Sequence, residues 1–159
     1  KNDNKYRMGP GGIRAHFLKT TGHGRIYLTS LQMWEEQHIF GFGLKSFRVK
    51  CWEILPRIEG LACANHPHNY YLQLLAETGF IGFVFIFFIF LKLLFNYFRQ
   101  IFYLLKNEKN INKSYILILS GLVSFIWPVI TTGSFFNNWI CTILFLQVGV
   151  YLYTLNQKA

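Results

Sequence analysis

The sequence predicts an all-α polytopic membrane protein, in which three transmembrane helices follow a mostly helical loop outside the bilayer. Three observations carry this expectation. Hydrophobic residues make up 52% and aromatics 19% of the 159 residues. The apolar residues gather in long runs rather than scattering as they do in a soluble domain. The charge is segregated: ten of the 16 Lys and Arg, with six of the 7 acids, precede Gly79.

Residues 1–79 form the external loop. Gly9-Pro10-Gly11-Gly12 and the stretch from Thr20 to Gly24 are loop signals. From Arg25 to Gln37 the spacing of Ile26, Leu28, Leu31, Met33 and Trp34 predicts a short amphipathic helix, stopped by Gly41-Phe42-Gly43. A second helix is better marked, with Asn65 or His66 able to cap it, Pro67 in its first turn, and Thr78-Gly79 as its end or a hinge. Inside it, Asn69, Gln73 and Glu77 recur every fourth residue and make one polar stripe opposite Tyr71, Leu72 and Leu75.

Residues 80–98 carry Lys92 as their one charge. At about 1.5 Å per residue they reach roughly 28 Å, close to the thickness of a hydrocarbon core. Lys92 is near the far end, where its amine can snorkel to the headgroups. Residues 99–114 form a short loop with Arg99, Lys106, Lys109 and Lys113 against Glu108, which places it on the cytoplasmic side. No charge occurs from Tyr115 to Gln157, and Trp127-Pro128 with Thr131-Thr132-Gly133-Ser134 divides that stretch. It reads as spans at 115–130 and 138–155, an external hairpin at 131–137, and a cytoplasmic tail at 156–159. The external loop is itself basic, but the positive-inside rule constrains long translocated loops weakly. The chain opens at Lys1 without an initiator Met or signal peptide, so it reads as the C-terminal part of a longer membrane protein.

A net charge of +9 concentrated beside a bilayer favours membrane lipids and polyanionic lipid-linked substrates over nucleic acid as partners. Cys51 and Cys63 can bridge if the loop faces an oxidising compartment, whereas Cys141 sits in an apolar run. A zinc site from Cys51, Cys63, His66 and His68 is poorly supported, because Cys51 is not part of a Cys-x2-Cys pair. Paired carboxylates for glycoside hydrolysis and a dinucleotide loop are also disfavoured, since Glu35 and Glu36 diverge on a helix and Gly41-Phe42-Gly43 lacks a third glycine.

The densest chemistry lies in Asn65-His66-Pro67-His68-Asn69. Imidazoles and amides at a helix start suit an anionic phosphate or a sugar hydroxyl, and a neutral imidazole is the base an alcohol needs. On residue types alone the plainer reading, a cap and an interfacial imidazole, is the stronger one. In Gly22-His23-Gly24-Arg25 the glycines allow close backbone approach and Arg25 can fork onto phosphate. Arg14, Lys19, Lys45, Arg48 and Lys50 add positive field.

The run from His66 to Gly82, His-Pro-His-Asn-Tyr-Tyr-Leu-Gln-Leu-Leu-Ala-Glu-Thr-Gly-Phe-Ile-Gly, resembles the signature of the O-antigen ligase and polymerase superfamily. Gly24-Arg25, Gly41-Phe42-Gly43-Leu44-Lys45-Ser46-Phe47 and Gly133-Ser134-Phe135-Phe136-Asn137-Asn138-Trp139 resemble further elements of that family, although His38-Ile39 stands where the family often carries Pro. The resemblance implies an inner-membrane, multi-pass bacterial glycosyltransferase with a periplasmic active face. It would move a glycan from undecaprenyl diphosphate to lipid A-core, or to another glycan in a polymerase, by an inverting, metal-independent reaction without cofactor. It also implies His68 and His66 as catalytic residues and Arg25 and Asn69 as substrate ligands, to which the positive field of Arg14, Arg48 and Lys45 adds further candidate substrate-binding residues. A non-enzymatic transporter of lipid-linked glycans is the alternative from another class.

Overall fold

The computed structural model describes residues 21–57, 61–106 and 112–156, and these are helical with no strand among them. The helices are α1 (Gly22–Glu36), α2 (Phe47–Ile54, followed by a 3-10 turn at Leu55–Arg57), α3 (Tyr70–Leu105), α4 (Lys113–Phe125) and α5 (Asn138–Asn156). The glycine-rich segment 9–12 lies outside the described residues.

Helix α1 begins three residues before the expected start, because Thr21 Oγ1 accepts from Gly24 N at 3.0 Å and caps it. Gly22-His23-Gly24, read from its glycines as a loop, therefore belongs with Arg25 to the first turn of a helix, with Gly24 buried. Ile26, Thr29, Ser30 and Met33 continue the buried face. It packs against Phe47, Cys51 and Ile54 of α2 and Ala76 of α3 in one small apolar core. Cys51 is bonded to Cys63 with their Cα atoms 5.6 Å apart, which fastens the segment after residue 60 onto α2.

Helix α3 starts at Tyr70, later than the expected cap at Asn65 or His66. Asn69 is the cap: its Oδ1 accepts from Tyr71 N and Leu72 N at 3.0 and 3.1 Å, so Pro67 precedes the helix instead of opening it. Thr78-Gly79 acts as the hinge, with Gly79 at φ 66° and ψ −163° inside an otherwise helical run. The kink breaks the local ladder, and the loop after α1 replaces it. Phe42 N and Gly43 N donate to the carbonyls of Ala76 and Glu77 at 3.1 and 2.8 Å, while Phe80 N and Ile81 N donate to His38 and Ile39 at 2.8 and 3.4 Å. Two carbonyls before the glycine and two N–H groups after it thus find partners in the loop.

Beyond the kink, α3, α4 and α5 form an antiparallel trio around Phe90, Leu93, Tyr115, Leu119, Leu122 and Val123. Helices α3 and α5 are long and apolar enough to cross a membrane. Their outer faces leave Phe85, Phe95 and Phe145 about two-thirds exposed, which suits lipid and would be costly in water. Helix α4 has 13 residues, about 20 Å at the standard rise, and stops short of the expected Ile130. Pro128 lacks an N–H and biases Trp127 away from helical geometry. The unwound stretch is satisfied from α3: Tyr71 Oη donates to Ile126 O at 2.8 Å, and Asn69 Nδ2 donates to Pro128 O and Ile130 O at 2.7 and 3.4 Å.

Candidate active site

The site is built on the cap and first turns of α3, where three residues spaced by four look toward the loop before α2 and the hairpin before α5. Asn69 holds residues 128–130 as described. Gln73 Nε2 donates to Ser134 Oγ at 3.0 Å, and Gln73 Oε1 accepts from Phe135 N at 2.8 Å, which pins the hairpin before α5. Glu77 accepts from Lys45 N and Phe47 N at 3.0 Å each, which pins the loop before α2. Gln73 and Glu77 are each 1% exposed. The polar stripe legible in the sequence is thus buried, and it joins the walls of a cleft to its floor. Burial pushes the Glu77 carboxyl above the usual carboxylate range, opposed by the donors from Phe47, Gln73 and Lys45 and by the Arg48 charge.

Between those walls lies a cavity of about 600 Å³. It is lined by Lys45 and Arg48, by Asn65 and His66, by Gln73 and Glu77 of α3, and by Asn137 at the end of the hairpin with Asn138 and Trp139 at the start of α5. The cavity lining therefore combines a cationic part with an amide-rich, aromatic one.

Beside it three imidazoles meet. The His66 and His68 rings lie 4.3 Å apart, and His23 from α1 meets His68 edge-on at 5.1 Å. His68 adopts φ 59°, unusual for a residue with a Cβ, and its carbonyl accepts from Thr132 N at 2.8 Å. Burial, followed by the neighbouring His66 and His23, holds the His68 imidazole below its ordinary pKa of 6.5. A ring kept neutral in this way can take a proton from an alcohol at neutral pH.

The segment carrying the histidines is fixed from α1 as well. Arg25 Nη2 donates to Leu61 O at 2.8 Å, and Thr29 Oγ1 donates to Ala62 O at 2.7 Å. Together with the Cys51–Cys63 bond, these ties hold residues 61–64 on both helices. The disulfide also removes two ligands from the zinc alternative, and among the described residues no His, Cys, Asp or Glu group is arranged to hold a metal ion.

Of the residues expected at a site, the fold gathers His66, Lys45 and Arg48 around the cavity and His68 against His66. Asn69 stands at the foot of the stripe with both ends of its amide engaged. Arg25 is exposed on α1, two residues beyond His23, and stands outside the cavity wall. Arg14 lies outside the described residues. Sequence reasoning missed the His23 ring, because no local signal brings the start of α1 beside His68. It also missed the hairpin as a wall, although Ser134 and Phe135 answer Gln73 across the fold.

Residues 5–87, more than half of the chain, match a family model described as O-antigen ligase. No curated protein and no solved structure matches the chain.

Proposed function

The chain belongs to the O-antigen ligase family, and from that premise we propose that it is a membrane glycosyltransferase moving a glycan from undecaprenyl diphosphate to an acceptor hydroxyl. The preferred acceptor is lipid A-core, and the alternative is a growing glycan, as in a polymerase. The observation that supports this most is a neutral-leaning imidazole, His68, packed on His66 at the edge of a cleft walled by Lys45 and Arg48.

In this reading His68 accepts the proton of the acceptor hydroxyl as its oxygen attacks the anomeric carbon. The bond from that carbon to the diphosphate oxygen breaks, and its electron pair leaves with the prenyl diphosphate. Lys45 and Arg48 offset the charge that develops on the leaving group, while Arg25, outside the cavity wall, acts by holding the histidine segment through its bond to Leu61 O. His66 lines the cavity and flanks the base. Asn69 acts by positioning, since it caps α3 directly after His68.

The cleft is placed on the periplasmic face of the inner membrane. The basic segment from Arg99 onward supports a cytoplasmic position for the far end of α3. The Cys51–Cys63 bond supports an oxidising environment for the cleft. The three-span arrangement remains part of this proposal: α4 crosses with help from the unwound 126–130 stretch, whose carbonyls α3 satisfies. Complementation tests the function. The gene should restore the surface polysaccharide ladder in a ligase-deficient strain, with a polymerase-deficient strain as the alternative host, and rescue of neither would refute it.

A further inference from the structure

The part of the cavity lining formed by Asn137, Asn138 and Trp139 has chemistry of its own that holding a diphosphate does not use. Trp139 is 80% exposed at the start of α5, yet it borders a cavity with Asn137 and Asn138. Asn137 Oδ1 accepts from Trp139 N at 3.0 Å, so the three residues are set as one turn. The turn is anchored in depth, because Gln73 grips Ser134 and Phe135 just before it. A flat indole face with neighbouring amides fits the alternating C–H and hydroxyl faces of a sugar ring, and fixed polar groups in a concave site supply orientation.

We propose that Asn137, Asn138 and Trp139 form a sugar-ring subsite that recognises the first sugar of the donor while Lys45 and Arg48 hold its diphosphate across the cleft. This rests on the glycosyltransferase reading and adds the group that selects the glycan. It also separates two demands on one ligand: the cationic wall senses charge and the hairpin wall senses the ring. An aromatic anchor at the membrane interface is the competing role for Trp139, and it makes no distinction between donors with and without a sugar.

The test measures binding of geranylgeranyl diphosphate and of the same lipid carrying one hexose to the intact protein in nanodiscs. The wild type should bind the hexose-bearing lipid more tightly. Trp139→Ala and Trp139→Leu should weaken that complex by about tenfold, the effect of a lost aromatic contact, and leave the bare diphosphate unchanged. Trp139→Phe should recover most of the loss, while Lys45→Ala with Arg48→Ala should weaken both lipids. Trp139→Leu keeps apolar mass for the interface, so binding like wild type in that variant would overturn the subsite. Equal weakening of both lipids by the Trp139 variants would also overturn it. If wild type binds the bare lipid with no gain from the hexose, the subsite falls and the diphosphate reading stands. If it binds neither lipid, the glycosyltransferase reading falls with it.

Discussion

Gln73 Nε2 donates to Glu77 Oε2 at 3.0 Å, and this single bond couples the two walls of the cleft, because Gln73 also holds the 134–135 hairpin and Glu77 holds the 45–47 loop. The pair is buried, and each of its oxygens and the amide nitrogen has a hydrogen-bond partner. A buried polar network satisfied in this way specifies geometry more than it adds stability. One helix face therefore sets the distance between the cationic wall and the aromatic one.

Replacing Glu77 with Ala strands the buried N–H of Phe47 and the partly buried N–H of Lys45. The expected cost is roughly 2–6 kcal/mol, from about 1–3 kcal/mol for each orphaned donor. Thermal unfolding in detergent checks this, with Glu53→Gln as the control. Glu53 makes an exposed pair with Lys50 at 2.7 Å, and such pairs contribute at most about 1 kcal/mol.

Gly79 and Gly41 interlock at the hinge, at φ 66° and 64°, and a Cβ on Gly41 would come within 2.6 Å of Gly79 N. Gly41→Ala and Gly79→Ala should each detach the 38–43 loop from α3 and sharply reduce the yield of folded protein. Backbone strain alone contributes about 1–3 kcal/mol. Gly22→Ala, where a Cβ meets nothing within 4 Å, should leave the yield unchanged.

The pH profile of transfer should report His68. Its pKa lies below 6.5, so the ring stays neutral, and competent as a base, to lower pH than an ordinary histidine. Activity should hold as pH falls toward 6.5 and drop only below it. His23→Ala and His66→Ala each remove a neighbour that lowers that pKa, so either should move the acid limb upward, toward 6.5. A limb that moved downward would contradict the assignment.

Reduction of Cys51–Cys63 frees a segment held to α2 across 12 residues, and a bridge of that loop length contributes about 2–4 kcal/mol. Cys51→Ser should lower the unfolding temperature and reduce transfer through looser histidines. In intact cells, maleimide labelling of residue 63 should require prior reduction in the wild type and proceed without it in Cys51→Ser.

Much of this architecture was legible locally. The apolar runs marked the long helices, Thr78-Gly79 marked an end or a hinge, and the spacing of Asn69, Gln73 and Glu77 marked a single face. What that face does was not legible, because its partners at residues 45–47, 128–130 and 134–135 lie far off in sequence and only the fold brings them together. The start of α1 was hidden for a different reason. Glycines at 22 and 24 argue for a loop, yet the Thr21 cap and the packing of Gly24 against the core overrule that preference. The His66-Pro67-His68 cluster was visible as a motif, while the contribution of His23 depended on where α1 docks.

The most direct test is glycan transfer by purified His68→Ala beside wild type, with binding of the lipid-linked donor measured on the same samples. The account predicts a fall in transfer of about 10²–10⁴-fold, the usual contribution of a general base, with donor binding retained through Lys45 and Arg48. Transfer at the wild-type rate by His68→Ala, with donor bound normally, would contradict it.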